Sequence, residues 1–154
     1  MEKGFNKIVI VSLEDDFSRK IGKTLSENLD MMFCDAQDLM EYDLIDKDAI
    51  KKFCSEEYLL NAEKKVFQHI SSFVNVVVSI SFDALTHNFE TLKDGSLIVF
   101  LKVPRNAIKE KINKIAYDNR SEELEKISTL TLKVKKLDCT FVCDKVIKAI
   151  GGIL

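Results

Sequence analysis

The stretch from Lys7 to Leu29 constrains the fold most, because an apolar run, a short acidic loop and an amphipathic helix follow one another there. Ile8 to Val11 form a continuous apolar run, which is typical of a parallel strand buried on both faces. Four apolar residues then recur at every fourth position, as on one face of a helix: Phe17, Ile21, Leu25 and Leu29. The stretch therefore predicts a strand, a loop and a helix.

A loop between such a strand and helix binds phosphate when it reads GxxxxGK[ST], because glycine lets amides approach the phosphates while Lys and the hydroxyl hold phosphate and Mg²⁺. None of these defining residues is kept. Their positions hold Ser12, Phe17, Ser18 and Arg19. The acidic run from Glu14 to Asp16 would repel a polyanion. We expect a degenerate loop in which Asp15, Asp16 or Ser18 satisfies the free N–H groups of the helix. An ordinary capped helix would fit the same residues.

Composition favours one domain over residues 1–154. The chain carries 23 Lys and Arg against 25 Asp and Glu, so nothing indicates nucleic acid or an acidic membrane as partner. No stretch approaches the ~18 apolar residues of a membrane helix, and the first residues lack a signal-peptide core, so we expect a cytoplasmic protein. Cys139 and Cys143 lie four apart on a predicted strand, which is not the spacing of a zinc or redox site.

Short apolar runs alternate with helical patterns along the chain, which predicts parallel β-α units. Further strands are predicted at Met31 to Asp35, Val74 to Ile80, Ser96 to Lys102 and Cys139 to Val142. A further helix is predicted to follow the cap Ser55. Others are predicted at Ala36 to Tyr42, Asp46 to Phe53, Phe82 to Lys93, Pro104 to Ile115, Ser121 to Ile127 and Asp144 to Ile150. Thr129 to Leu137 fits a strand or a helix end. The whole is a three-layer α/β/α fold with a central parallel sheet of about five strands.

This pattern resembles the shikimate kinase family of P-loop small-molecule kinases over nearly the whole chain. Ile21-Gly22-Lys23 resembles the V-G-K step of the family's first helix, and Phe33 to Asp38 resembles its FxDxDD segment. Val77 to Ala84 lies where a strand enters the family's triple-glycine turn. Leu137 to Phe141 is similar to the A-D-x-T-V entry to the family's last strand. The resemblance implies a P-loop kinase fold.

The functional positions of the family are mostly changed. The resemblance implies that Asp35 is the retained first Asp of the DxD, which would position Mg²⁺ only if the protein is active. Ser18 replaces the loop Lys, and Arg19 replaces the hydroxyl residue that holds Mg²⁺. The substrate positions are replaced as well: Gln37 stands at the second Asp, Leu60 at the carboxylate-binding Arg, and Ser81, Phe82 and Asp83 at the triple glycine.

Three functions remain open. The loss of several phosphoryl-transfer contacts, each contributing about 10³–10⁵ in rate, favours a pseudoenzyme that needs no cofactor and acts as a binding or regulatory module for an unidentified protein. The first alternative is a divergent active kinase that transfers phosphate from Mg-ATP to a hydroxyl of a shikimate-like substrate. The second is a receiver-like signalling domain with Asp83 as phosphate acceptor and Lys102 as its partner.

Overall fold

A buried strand, β1 (Lys7–Ser12), lies at the centre of a five-stranded parallel sheet. The computed structural model describes residues 5–44 and 55–153. The other strands are β2 (Met32–Asp35), β3 (Val76–Ile80), β4 (Ser96–Lys102) and β5 (Leu130–Lys133). The strand order is β2-β3-β1-β4-β5, and every neighbouring pair is parallel.

Helices cover both faces of the sheet, because successive residues of β1 point to opposite faces and all are apolar from Ile8 to Val11. The helices are α1 (Asp15–Asn28), α2 (Ala36–Leu44), α3 (Glu56–Ser71), α4 (Phe82–Leu92), α5 (Lys114–Ile127) and α6 (Cys139–Ile153). Ile8 and Ile10 pack with α1 and α6. Val9 and Val11 pack with α2, α3, α4 and α5. The predicted three-layer α/β/α fold is confirmed.

The strand order decides against the receiver-like alternative. Receiver domains share the flavodoxin-like order 2-1-3-4-5, in which β1 lies between β2 and β3. Here β3 lies between β2 and β1, with Val77 beside both Ile8 and Phe33. Lys102, the proposed partner of an acceptor Asp83, pairs instead with Glu125 at 3.0 Å. The receiver-like interpretation is therefore wrong.

The last part of the chain differs from the prediction at Cys139 to Val142, which begins α6 and is not a strand. The side chain of Asp138 accepts a hydrogen bond from the Phe141 N–H at 3.0 Å and so caps the helix. The helix therefore begins before Asp144, the predicted start, and continues beyond Ile150, the predicted end. The open segment Thr129 to Leu137 contains β5, the fifth strand.

The predicted helix from Pro104 to Ile115 is also wrong. Only a 3₁₀ turn, Arg105–Ala107, follows Pro104, and α5 begins at Lys114 and absorbs the segment predicted to start at Ser121. The side chain of Asn113 accepts from the Ala116 N–H at 2.8 Å and supplies the helix-start signal. The predicted helix at 46–53 lies outside the described residues. Within residues 5–44 and 55–153, no helix is long and apolar enough to cross a bilayer.

Replacement of Gly95 by Ala should destabilise the fold by about 1–2 kcal/mol, because Gly95 has a left-handed φ of 73°. A Cβ there would also lie 2.8 Å from the side-chain amide of Asn6. The backbone N–H of Asn6 donates to the Gly95 carbonyl oxygen, so the two residues are held together. Gly151→Ala is the matched control, since a Cβ in that helical position meets nothing within 4 Å. It should leave stability unchanged or raise it by up to about 1 kcal/mol in urea unfolding. Equal stability of Gly95→Ala and wild type would contradict the expectation.

Candidate functional site

The loop between β1 and α1 is closed by the hydroxyl groups of two buried serines. Ser12 Oγ lies 2.6 Å from Ser18 Oγ, and it donates to the Glu14 carbonyl oxygen at 2.7 Å. The Glu14 N–H donates back to Ser12 Oγ at 3.1 Å. The two serines stand at the predicted positions of the degenerate phosphate loop, and their hydrogen bonds hold that loop to itself.

The free N–H groups at the start of α1 are not bonded by the side chains of Asp15, Asp16 or Ser18, contrary to the expectation from the sequence. The Glu14 carbonyl oxygen accepts from the N–H groups of Phe17 and Ser18, at 3.1 and 3.2 Å. The Ser18 hydroxyl turns to Ser12, and the Asp16 carboxylate turns away to Lys109. In the described part of the chain, α1 therefore begins with no side-chain capping bond.

Lys109 joins the loop between β4 and α5 to the loop between β1 and α1. Its N–H donates to Glu14 Oε2 at 3.4 Å, and its Nζ pairs with Asp16 Oδ2 at 3.1 Å. This hydrogen bond and the charge of Lys109 lower the pKa of Asp16. The sequence analysis missed Lys109, because no local pattern connects residues 93 positions apart.

Asp15 lies in an acidic surrounding that opposes its ionisation. Burial raises the pKa of its carboxyl most, and neighbouring carboxylates raise it further. These neighbours are Glu14, Glu110, Asp35 and Asp16. The loop thus concentrates negative charge at the start of α1, as the sequence predicted.

Arg19 and Asp35 form an ion pair that joins α1 to the end of β2. Arg19 Nε lies 3.3 Å from Asp35 Oδ2, and Arg19 Nη2 lies 3.4 Å from Oδ1. The hydrogen bond and the charge of Asp35 raise the pKa of Arg19. Arg19 also lies 3.7 Å from Asp38. The pairing is two-pronged, which is the geometry that guanidinium and carboxylate groups favour.

Both oxygens of Asp35 have a second donor. Ser79 Oγ, on the neighbouring strand β3, donates to Oδ2 at 2.5 Å, and the Asp38 N–H donates to Oδ1 at 3.0 Å. The Asp35 side chain is only 8% exposed, whereas that of Arg19 is 45% exposed. Asp35 is thus a nearly buried carboxylate with four donors, one pair of them from a permanent cation.

The predicted substrate positions mostly lie around a cavity of about 430 Å³ between α2, α3 and α4. Gln37, Leu60, Ser81 and Asp83 line it. Gln37 and Ser81 also line a smaller cavity of about 110 Å³ that reaches Asp15, Arg19 and Asp35. The two cavities therefore adjoin, and the structure brings the predicted phosphate and substrate positions together.

Two of the three residues at the triple-glycine positions have structural partners. Ser81 caps α4 by accepting from the Ala84 N–H at 3.2 Å. Phe82 packs against the core on that side of the sheet, with the Arg120 guanidinium 5.5 Å from its ring centroid. Such a contact is a cation–π interaction. Phe82 is the predicted substrate position that does not line the larger cavity.

The thiols and acids of the described chain form no metal centre. Cys139 and Cys143 lie one helical turn apart on α6, where their sulfur atoms face Thr24 and Asn28 of α1 at 3.3 and 3.5 Å. Within residues 5–44 and 55–153, no group of three or more His, Cys, Asp and Glu side chains could hold a metal ion.

The parallel sheet, its strand order and the helices on both of its faces match the P-loop kinase fold. Sequence comparison then gives the family, because the model of shikimate kinase matches residues 19–148. The chain therefore belongs to the shikimate kinase family, and the predicted resemblance is confirmed. No curated protein sequence matches the chain significantly.

Solved structures of shikimate kinases share the fold. The enzyme from Aquifex aeolicus is 20% identical with a TM-score of 0.68, and the alignment covers 95% of this chain and 96% of that one. The enzyme from Acinetobacter baumannii, in complex with shikimate, is 17% identical with a TM-score of 0.72 and coverages of 96% and 94%. Dephospho-CoA kinase from Campylobacter jejuni is 14% identical with a TM-score of 0.52 and coverages of 97% and 99%. These identities establish the fold alone.

Asp15→Asn should stabilise the protein at pH 7. Because its pKa is raised by folding, Asp15 contributes stability that is full below its ordinary value of 3.8 and is lost as the pH rises through the folded value. Asn does not ionise, so the substitution avoids this loss of stability at pH 7. The gain over the wild type should vanish at about pH 3, where Asp15 is protonated in the folded and the unfolded state. Urea unfolding across this pH range measures the difference.

Asp16→Asn is the matched control at the adjacent position. The pKa of Asp16 is lowered, so its contribution to stability is present above 3.8 and is lost as the pH falls. The control substitution should therefore bring no gain at pH 7. If Asp15→Asn is no more stable than Asp16→Asn there, the inferred destabilisation of ionised Asp15 by its surroundings is refuted.

The Arg19–Asp35 pair should show a coupling energy of about 1 kcal/mol in a double-mutant cycle of Arg19→Gln and Asp35→Asn, above the ~0.5 kcal/mol typical of exposed pairs. The control cycle uses Lys93→Gln and Glu90→Gln. That pair is shorter, at 2.7 Å, but its side chains are 44% and 79% exposed. Equal coupling in the two cycles would show that burial of Asp35 adds nothing.

Proposed function

We propose that this member of the shikimate kinase family is a pseudoenzyme that has lost ATP-dependent phosphoryl transfer and acts as a binding or regulatory module. The observation that carries the proposal is the pairing of Arg19 with Asp35. Asp35 is the retained first acid of the family's DxD, and a guanidinium already neutralises it. Arg19 itself stands at the position of the metal-binding hydroxyl.

The residues of the loop do not fit Mg-ATP. A magnesium ion takes oxygen ligands in an octahedral arrangement, and a guanidinium offers none. The two Asp35 oxygens already receive four donors, so a metal would have to displace Arg19. Ser18, at the position of the loop Lys, is buried against Ser12 and supplies no positive charge. Glu14, Asp15 and Asp16 add repulsion toward phosphate.

The substrate positions also support the loss of the family reaction. The larger cavity has the carboxylates of Glu56 and Asp83 in its wall, and its described lining contains neither Lys nor Arg. Leu60, at the position of the carboxylate-binding Arg, is apolar and cannot replace a bidentate donor. A substrate carboxylate would therefore meet repulsion where the family supplies attraction.

A divergent active kinase is the second candidate. The connection between the two cavities favours it, because a small hydroxylated molecule in the larger one would lie near Asp35. Phosphoryl transfer, however, depends on positioning and charge stabilisation, and one lost contact can cost about 10³–10⁵ in rate. The combined loss of the loop Lys, the metal hydroxyl and the substrate Arg favours the pseudoenzyme.

Calorimetric titration of the wild-type chain with Mg-ATP and Mg-ADP tests the proposal, and we expect no binding heat. The double variant Asp15→Gly/Asp16→Gly should be silent as well, because removal of two acids restores neither the Lys nor the hydroxyl. The shikimate kinase from Aquifex aeolicus serves as the positive control under the same conditions. Binding by the wild type at micromolar affinity, about −8 kcal/mol, would overturn the proposal.

A coupled assay for ADP release separates the two candidates if nucleotide binds. Turnover with shikimate or another small alcohol would establish the divergent kinase. Arg19→Ser is then the informative variant, since it returns a hydroxyl to the metal position and frees Asp35. In a pseudoenzyme this variant gains no turnover, because the loop still lacks its Lys.

A further inference from the structure

A groove of about 460 Å³ lies where β5 ends and α6 begins, far from the loop between β1 and α1 in the sequence. Its rim carries four lysines and an exposed aromatic ring: Lys133, Lys135, Lys136, Lys145 and Phe141. We refer to these five residues as the lysine groove. None of them was assigned a role by the family resemblance or by the loop chemistry above.

The feature that sets these lysines apart is that four of them line one groove. Among the described lysines, Lys93, Lys102, Lys109 and Lys126 each lie within 4.0 Å of a carboxylate. Among the described residues, the four groove lysines have no such partner, and Lys145 Nζ donates instead to the Lys133 carbonyl oxygen at 3.0 Å. The one acid in the lining, Asp138, accepts from the Phe141 N–H and caps α6. A chain of net charge −2 thus concentrates uncompensated positive charge here.

The groove also has an apolar wall. The ring of Phe141 is 68% exposed, while Val134 and Val142 beneath it are nearly buried. Aromatic side chains, Phe among them, are enriched at protein interfaces relative to the rest of the surface. Because lysines and an aromatic ring line the same groove, the groove suits a ligand with both acidic and apolar groups.

We propose that the lysine groove binds an acidic segment of a partner protein, with an apolar side chain of that segment seated against Phe141. Charge complementarity identifies the occupant, because four cations attract carboxylates and Phe141 offers the apolar contact. The proposal rests on the role of the chain as a binding module and gives that module its partner class.

The local shape favours a peptide over nucleic acid. Nucleic-acid surfaces are extended stripes of Lys and Arg that follow many phosphates. The lysine groove is confined to one strand end and one helical turn, and none of the three Arg residues lines it. A single aromatic ring between cations matches an amino-acid side chain flanked by acids.

The test is a selection of displayed random peptides on the wild-type chain, with removal of peptides that also bind Lys135→Glu/Lys136→Glu. We expect the enriched peptides to carry several Asp or Glu around one aliphatic or aromatic residue. Fluorescence anisotropy of a labelled enriched peptide should then show at least about tenfold weaker binding to the double variant. Both substituted lysines are exposed, so the fold should tolerate the change.

Lys64→Glu/Lys65→Glu is the matched control. These are also adjacent exposed lysines, but they lie on α3, so the variant has the same net charge with the lysine groove intact. The control should bind the peptide as the wild type does. Phe141→Ser should also weaken binding, with the salt dependence of the remaining affinity unchanged, because it removes an apolar contact and no charge.

Several outcomes would overturn the proposal: no enriched peptide, equal binding by the two lysine variants, or equal affinity of a poly-glutamate peptide without an apolar residue. Tighter binding of a single-stranded oligonucleotide or of phosphatidylserine vesicles than of the peptide would assign the groove to another class of partner. The nucleotide titration uses neither the selected peptides nor the lysine variants, so its result is independent of the selection. A silent titration together with a failed selection would therefore refute the groove and leave the lost kinase activity standing.

Discussion

Burial of β1 on both faces is the constraint on which the rest of the molecule depends. A strand with apolar residues at every position from Ile8 to Val11 is stable only when helices cover both sides of its sheet. The loops that leave the carboxyl ends of the parallel strands then meet at one edge. That arrangement brings Asp35 and Ser79 within hydrogen-bond distance, although 44 positions separate them.

Two acids at this edge are neutralised within the protein. Asp35 is neutralised by Arg19, and Asp16 is neutralised by Lys109 from a separate loop. In a P-loop kinase the same region handles the charge of phosphate and metal. Among the described residues, Asp15 has no comparable cation, and burial and like charges raise its pKa. The site therefore combines two neutralised acids, Asp35 and Asp16, with one acid, Asp15, whose ionisation is opposed by its surroundings.

The sequence predicts the parts of the fold that local pattern controls. The unit from β1 to α1, the cap at Ser55 and the strand after Gly95 depend on apolar spacing and on capping residues, so they were predicted correctly. The errors at Pro104 and Cys139 also concern capping residues. Asn113 and Asp138 cap the two helices, but the helix-start signal of Pro104 and the strand-like run from Cys139 to Val142 outweighed them in the prediction. Motif comparison identified Arg19 and Asp35 separately. Their pairing, and that of Lys109 with Asp16, depends on tertiary distance, which spacing does not encode.

The Arg19–Asp35 pair also has a consequence for substitutions at positions 18 and 19. Exchange of Arg19 for the hydroxyl residue of the family would leave the nearly buried Asp35 without its cation. A metal-bound nucleotide could supply the missing charge only if a lysine also replaced Ser18. Either exchange alone therefore lowers stability or gains nothing, so positions 18 and 19 are coupled through Asp35 and would have to change together.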